Sequence, residues 1–182
     1  MIIGLTGRKY SGKTTGAEAL ESLDFNIMSF AGTLKLMLRC LLRDLGLTEF
    51  QIQAAQQFKE SPIPGLEVSW RQLIQSLGTE LGRQQVHADL WVKVAENLSK
   101  RHERVVFDDV RFENEAAMIR RNGGLIIHIK RPLHRATDDH ASEAGIAFVE
   151  GDELVMNGGD KDALTDAVID IAERFVLAHG TE

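Results

Sequence analysis

Residues 1–15 read MIIGLTGRKYSGKTT. A branched apolar run comes first, then a polar turn with glycines at both ends, then a segment with helical spacing. The turn, Gly7 to Thr14, satisfies G-x-x-x-x-G-K-[ST] in full and sits between a strand-like and a helix-like segment. Successive backbone N–H groups of such a turn, closing onto a helix N-terminus, make a concave anion site. Gly7 and Gly12 permit the tight path, Lys13 can reach the β- and γ-phosphates of a nucleotide, and the Thr14 hydroxyl is placed to ligate Mg²⁺. Gly7, Ser11, Gly12, Lys13, Thr14 and Thr15 are the expected phosphate-binding set. A chance match would need the specified residues and both flanks by accident.

Outward from this stretch, five short apolar runs read as strands: Met1–Thr6, Phe25–Ser29, Arg104–Asp108, Leu125–Lys130 and Glu153–Asn157. Helical patterns lie between them, such as Trp70, Leu73, Ile74, Leu77 and Leu81, or Leu164, Val168, Ile171 and Phe175, each painting one apolar face. Alternating strands and helices imply crossovers, hence a mainly parallel, doubly wound α/β sheet covered on both faces. Gly123-Gly124 should end one helix and Asp160 open the last. The stretch 32–100 carries several helices and no strand signal, so it reads as an insertion within a single domain spanning 1–182.

The bulk composition excludes several classes. The chain has 182 residues, 43% hydrophobic and 26% charged, which suits one soluble domain. A net charge of -6 argues against a long nucleic-acid partner, whose binding rests on phosphate neutralisation. No apolar run approaches the roughly 18 residues of a membrane span, and the N-terminus carries no basic leader, so a cytoplasmic protein is expected. The one cysteine, Cys40 in LKLMLRCLLRDLG, is expected to be a buried helical thiol.

Three further constellations carry chemistry. In RVVFDDVRFENEA, from Arg104, a strand ends in Asp108 and Asp109, at the edge that faces the phosphates in such folds. One of the pair is expected to hold the Mg²⁺ shell or orient the acceptor, and the pattern does not choose between them; the alternative is a helix cap. In HIKRPLHRATDDHASEAG, the arginines suit a basic lid over the γ-phosphate, expected over 131–148, against the plainer reading of a solvated loop. There is no metal-ligand spacing around His140. In SWRQLIQSLGTELGRQQVHADLW, Arg71, Gln72 and Gln75 share a polar side with Glu80 and Arg83 beyond. Pattern alone makes this a solvated helix face, although Arg71 and Arg83 could clamp a phosphate. Lys35 is open to the same two readings.

These residues resemble the deoxynucleoside monophosphate kinases of tailed bacteriophages, relatives of the nucleoside monophosphate and dephospho-coenzyme A kinases. The resemblance runs over nearly the whole chain, through MIIGLTGRKYSGKTT, SFAGTLK, WRQLIQSLGTELGR, DLW, DDVRFENEA and DHASE. It implies a P-loop kinase fold with a five-stranded parallel sheet of order 2-3-1-4-5, ATP on the loop, and an acceptor deoxynucleoside monophosphate held by the helical insertion. It marks Asp109 as the family's aspartate, a catalytic and Mg²⁺ residue beside Lys13 and Thr14. It makes Arg71 an acceptor-phosphate ligand, adds Arg111 and Glu115 to the acceptor site, and gives Arg131 and Arg135 to the lid as catalytic residues. Asn157 and Gly158 become neighbours of the adenine. Lys35, Gln75, Glu80, Arg83, Trp91, His140, Ser142 and Glu143, in the segments that carry the resemblance, complete the expected substrate-binding set.

The expected reaction is in-line transfer of the γ-phosphoryl group of ATP to a deoxynucleoside 5′-monophosphate, with Mg²⁺ as cofactor. The expected partners are these nucleotides, with no stable nucleic acid and no membrane, and with a homodimer left open. If the chain is phage-encoded, its place is the host cytoplasm. A kinase for dephospho-coenzyme A, or for a hydroxymethylated pyrimidine nucleotide or DNA, shares the loop; GTELGR and DVRFENEA favour the nucleotide kinase. A non-catalytic GTP switch would carry Asn-Lys-x-Asp, which does not occur here.

Overall fold

The computed structural model describes residues 1–132 and 145–180. Five strands, β1 (Ile2–Thr6), β2 (Asn26–Met28), β3 (Val105–Val110), β4 (Leu125–Lys130) and β5 (Glu153–Met156), form one sheet of order β2-β3-β1-β4-β5. Every neighbouring pair is parallel. The helices are α1 (Lys13–Ala19), α2 (Gly32–Asp44), α3 (Glu49–Gln57), α4 (Trp70–Gln75), α5 (Leu90–Ser99), α6 (Glu113–Arg121) and α7 (Lys161–His179), with a 3₁₀ turn at Leu20–Leu23 and a π-helix at Ser76–Val86. The α/β class and the strand order are those expected from the sequence.

The chain folds as two compact units, Met1–Phe30 with the residues from Ala95 onward, and Ala31–Val94. In the first, the branched residues of the central strands are fully buried: Ile3, Leu5, Ile127 and Ile129 meet Ala17, Val168 and Ala172 from α1 and α7. The opposite face is covered by α6, whose Ile119 packs so tightly over Gly4 that a Cβ there would meet it and Val110. Gly123 and Asp160 take their expected places, Gly123 with φ 68° just past α6 and Asp160 as the N-cap of α7.

The second unit has its own core, Leu38, Leu42, Ile52, Ala55, Ile63 and Trp70. Two of its helices start with capping boxes, Thr48 with Gln51 and Ser69 with Gln72. Here two expectations are corrected. Cys40 is exposed, because the buried stripe of α2 is Leu34, Leu38 and Leu42, and a residue two positions off that stripe points to the other side. Leu81 is 45% exposed, because beyond Gln75 the helix widens to i→i+5 bonding, as in the His87 N–H to Gly82 carbonyl bond of 3.0 Å. The 3.6-residue period then drifts, and Gly78 and Gly82 take the buried side. Among the described residues no helix is long and apolar enough to cross a membrane.

Candidate functional site

The loop after β1 follows a path that glycine alone allows at two points. Gly7 has φ 148° and Gly12 φ 108°. A Cβ at Gly7 would run into the Ile129 carbonyl, and one at Gly12 would lie 2.6 Å from Leu164 and 2.8 Å from Asn157 Nδ2. The Ser11 N–H donates to the Arg8 carbonyl at 3.1 Å, and the Gly16 N–H to Gly12 at 2.9 Å, closing the turn onto α1. Lys13 lies along the loop, its Nζ donating to the Gly7 and Arg8 carbonyls at 2.7 and 2.8 Å. Ser11 Oγ is buried with no hydrogen-bond partner among the described residues. A buried hydroxyl left in that state costs about 1–3 kcal/mol. An orphaned donor in a concave turn of backbone amides matches an anionic group such as a phosphate.

Beside the loop lies a cavity of about 420 Å³, in the range of small-molecule sites. Gly12, Lys13, Thr14 and Thr15 form one wall, and Arg131, just past β4, joins them. The Arg131 guanidinium reaches the Tyr10 carbonyl at 3.5 Å. Asn157, Gly159, Lys161 and Leu164 also line the cavity. Asn157 is buried as a brace: its Nδ2 donates to the Ser11 carbonyl at 2.8 Å, and its Oδ1 accepts the Gly159 N–H at 2.9 Å. It ties the β5–α7 loop to the glycine turn. Gly159 lines the cavity where Gly158 was expected. Tyr10, 65% exposed and at φ 63°, is a lining residue the motif did not single out, since the pattern leaves its position unspecified.

The acidic pair occupies an irregularity. β3 runs on through Asp109 to Val110, beyond the end expected from the sequence. Gly4 pairs with Phe107, but Thr6 pairs with Val110, so β3 holds one extra residue at Asp108–Asp109. Such a bulge re-aims side chains at the rim of a sheet. Asp109 Oδ2 accepts the Ser29 hydroxyl at 2.5 Å and Oδ1 accepts the Phe30 N–H at 2.8 Å, which fastens the end of β2 to β3; Phe30 also stacks on Phe107 at 4.5 Å. Phe112 holds the N-cap position of α6, and its side chain cannot accept a hydrogen bond. Capping falls to Glu115, 2% exposed, whose Oε2 accepts the Arg111 and Phe112 N–H groups at 2.8 and 3.1 Å. The family resemblance implied an acceptor-site role for Glu115; in the structure its carboxylate accepts from its own backbone. Arg111 is exposed and lines a cleft of about 10 Å³ with Thr6, Gly7, Lys9, Lys13, Val110 and Gly145.

Lys35, Arg71, Gln75, Glu80, Arg83 and Trp91 belong to the second unit. Lys35, Gln75 and Glu80 are exposed. Arg71 is ion-paired with Glu60, both largely exposed, and Arg83 reaches the Ala88 carbonyl at 3.4 Å. Trp91 is 7% exposed. Its indole N–H donates to the Gly78 carbonyl at 2.8 Å and its ring covers Gly82, so it packs the π-helix rather than offering a surface to a ligand. Arg135, His140, Ser142 and Glu143 lie outside the described residues, as does most of the expected 131–148 lid. Among the described residues no cluster of His, Cys, Asp and Glu forms a metal site by itself.

A sequence family described as deoxynucleotide monophosphate kinase matches residues 25–168. A putative deoxynucleotide monophosphate kinase of Acanthamoeba polyphaga mimivirus is 34% identical over 176 residues, 86% of this chain and 87% of that protein. The deoxynucleotide monophosphate kinase of Enterobacteria phage T4 is 29% identical over 56% of this chain, and the deoxynucleoside-5′-monophosphate kinase of Escherichia phage T5 35% identical over 52%. Those matches span 45% and 41% of the two phage proteins. Among solved structures, shikimate kinase from Aquifex aeolicus superposes with a TM-score of 0.54, over 97% of this chain and 99% of that one, at 16% identity. That likeness is one of fold.

Proposed function

This chain belongs to the deoxynucleotide monophosphate kinase family, and we propose that it transfers the γ-phosphoryl group of ATP to a deoxynucleoside 5′-monophosphate. The observation that carries the donor half is the glycine turn: an orphaned Ser11 hydroxyl and backbone amides at the wall of a 420 Å³ cavity, with Lys13 and Arg131 beside them. The adenosine is assigned to the part of that cavity lined by Gly159, Lys161 and Leu164, and the phosphates to the turn.

In this mechanism Lys13 leaves the Gly7 and Arg8 carbonyls to follow charge on the transferring group, and Arg131 neutralises it from β4. Both act electrostatically, since an acceptor phosphate is already nucleophilic at neutral pH and needs positioning more than a base. Mg²⁺, when bound, would supply charge neutralisation of the phosphate oxygens; Thr14 and Asp109, a hydroxyl and a carboxylate, fit it as hard oxygen donors. Asp109 would then have two tasks, fastening Ser29–Phe30 and helping to hold Mg²⁺. Arg111 of the first unit is assigned to the acceptor phosphate; for Arg71, Lys35, Gln75, Glu80 and Arg83 of the second unit, an acceptor-side role is proposed on the family likeness alone. The protein is assigned to the cytoplasm.

The test is ATP consumption, with Mg²⁺, against a panel of deoxynucleoside and ribonucleoside monophosphates and dephospho-coenzyme A, with Lys13→Ala as the control. The expected result is turnover with one or more deoxynucleoside monophosphates, reduced by roughly 10²- to 10³-fold in Lys13→Ala. Turnover with dephospho-coenzyme A alone, or a folded Lys13→Ala variant within tenfold of the parent, would overturn the assignment.

A further inference from the structure

A second polar cluster in the first unit takes no part in the proposed chemistry. Asp152, in the turn before β5, has a side chain only 3% exposed and stands among three groups: Arg120 of α6, His128 of β4 and the Val149 backbone. The Arg120 guanidinium grips it with two bonds, Nε to Oδ1 at 3.1 Å and Nη2 to Oδ2 at 2.7 Å. His128 Nε2 lies 3.0 Å from Oδ2, and the Val149 N–H donates to the same oxygen at 3.1 Å. His128 is the one polar residue among the buried positions of LIIHIK.

The cluster gathers up a short piece of chain. Arg120 Nη2 also donates to the Ala147 carbonyl at 3.2 Å, and the Ala147 N–H donates to Glu113 Oε1 at 2.6 Å. Phe148 packs on the His128 ring with centroids 5.1 Å apart. Residues 145–149 form no strand or helix, so these side chains supply the order that a ladder would otherwise give. Gly145, at the head of this piece, lines the small cleft with Lys13 and Arg111.

We propose that Asp152 is a positioning residue for phosphoryl transfer: through Arg120 and Val149 it fixes residues 145–149 on α6, and so sets the wall that Gly145 forms beside Lys13 and Arg111. The proposal rests on the kinase reading of Lys13 given above. A carboxylate held by a two-pronged guanidinium defines geometry as well as attraction, and a wall displaced beside the transferring group misplaces charge in the transition state more than it weakens ground-state binding.

The experiment compares Asp152→Asn and Asp152→Glu with the parent, by steady-state kinetics on the best acceptor and by amide hydrogen exchange of the 145–150 peptide. Asp152→Asn should speed exchange at Ala147 and Val149 at least about tenfold and lower kcat by about tenfold, with the KM for ATP and acceptor within about twofold; Asp152→Glu should recover part of both. Faster exchange with kcat unchanged would overturn the positioning role and leave a structural clasp. Unchanged exchange, or a loss confined to KM, would overturn the proposal. If Asp152→Asn does not fold, Arg120→Gln, at a partly exposed position, gives the same two readouts. Absence of kinase activity in the parent would sink the functional reading, while hydrogen exchange would still report on the clasp.

Discussion

Asp109 shows how one carboxylate can be asked for structure and chemistry at once. Its bonds to Ser29 and Phe30 make Asp109→Asn costly in two ways: the Ser29 hydroxyl must turn from donor to acceptor of the amide NH₂, which exchanges a charge-assisted bond for a weaker neutral one, and the charge proposed to serve Mg²⁺ disappears. Ser29→Ala separates these, because it removes the structural bond and keeps the charge. Asp109→Asn should therefore abolish most turnover, Ser29→Ala should lower stability with turnover largely kept, and Asp108→Asn should do little to turnover. Equal losses in Asp108→Asn and Asp109→Asn, measured as kcat beside urea unfolding, would remove the preference for Asp109. Arg71 invites the same separation. Its pair with Glu60 is largely exposed at both ends, and such pairs contribute about 0–1 kcal/mol. If the guanidinium grips the acceptor phosphate, Arg71→Ala should weaken acceptor binding by about 1.5–3 kcal/mol. Thermal stability and the KM for ATP should barely change. A shift in the KM for ATP alone would return this residue to the solvated face that its helical pattern suggests.

At the scale of elements, the strands were legible because branched residues crowd the central ones, and the glycine turn because its motif specifies backbone freedom at Gly7 and Gly12. The β3 bulge was not legible: nothing in VVFDDV says that one residue is extra until the register against β1 is seen. The π-helix was hidden in the same way. The period of Trp70, Leu73, Ile74 and Leu77 holds up to the point where bonding changes, and fails at Leu81. The glycines there carry a measurable consequence. A Cβ at Gly82 would lie 2.7 Å from Trp91 Nε1 and 2.9 Å from two ring carbons, whereas one at Gly78 would meet only Leu34 Cδ2 at 2.8 Å. Overpacking against a buried ring costs about 1–3 kcal/mol, while replacing glycine by alanine in a helix gains about 0.8–1.0 kcal/mol. A methyl at the end of a leucine can turn aside; an indole fixed by its bond to Gly78 cannot. Gly82→Ala should accordingly destabilise and Gly78→Ala be close to neutral in urea unfolding. The reverse order would mean that the Trp91 ring does not hold this helix.

For the molecule as a whole, the fold class follows from alternation and the strand order from family resemblance, but the Asp152 cluster could not be read, because Arg120, His128 and Asp152 come from three elements that only the folded sheet brings together. Its effect on the whole molecule should appear as a pH dependence of stability. Burial pushes the Asp152 carboxyl up, yet the Arg120 hydrogen bonds, the Val149 amide, His128 and the Arg120 charge outweigh it and hold the group below its ordinary 3.8. A carboxyl lowered on folding binds fewer protons in the folded state than in the unfolded one. Its stabilisation is therefore present in full above the unfolded value and is lost as pH falls through the folded value. Glu96, lowered chiefly by its hydrogen bond from Asn122, shifts in the same sense but at a more open position, so it should contribute less. At neutral pH, Asp152→Asn should be less stable than the parent by about 1.5–3 kcal/mol, the range for hydrogen bonds to a charged group. As pH falls below the ordinary 3.8 the unfolded chain binds a proton first, so the difference should begin to shrink there and close only as pH passes the lower folded value, with little change between about pH 7 and pH 5. Urea unfolding of both proteins at about pH 7, 5 and 3.5 reads this directly. A gap that widened toward acid would mean that the carboxyl is raised on folding, and that Arg120 does not hold it ionised.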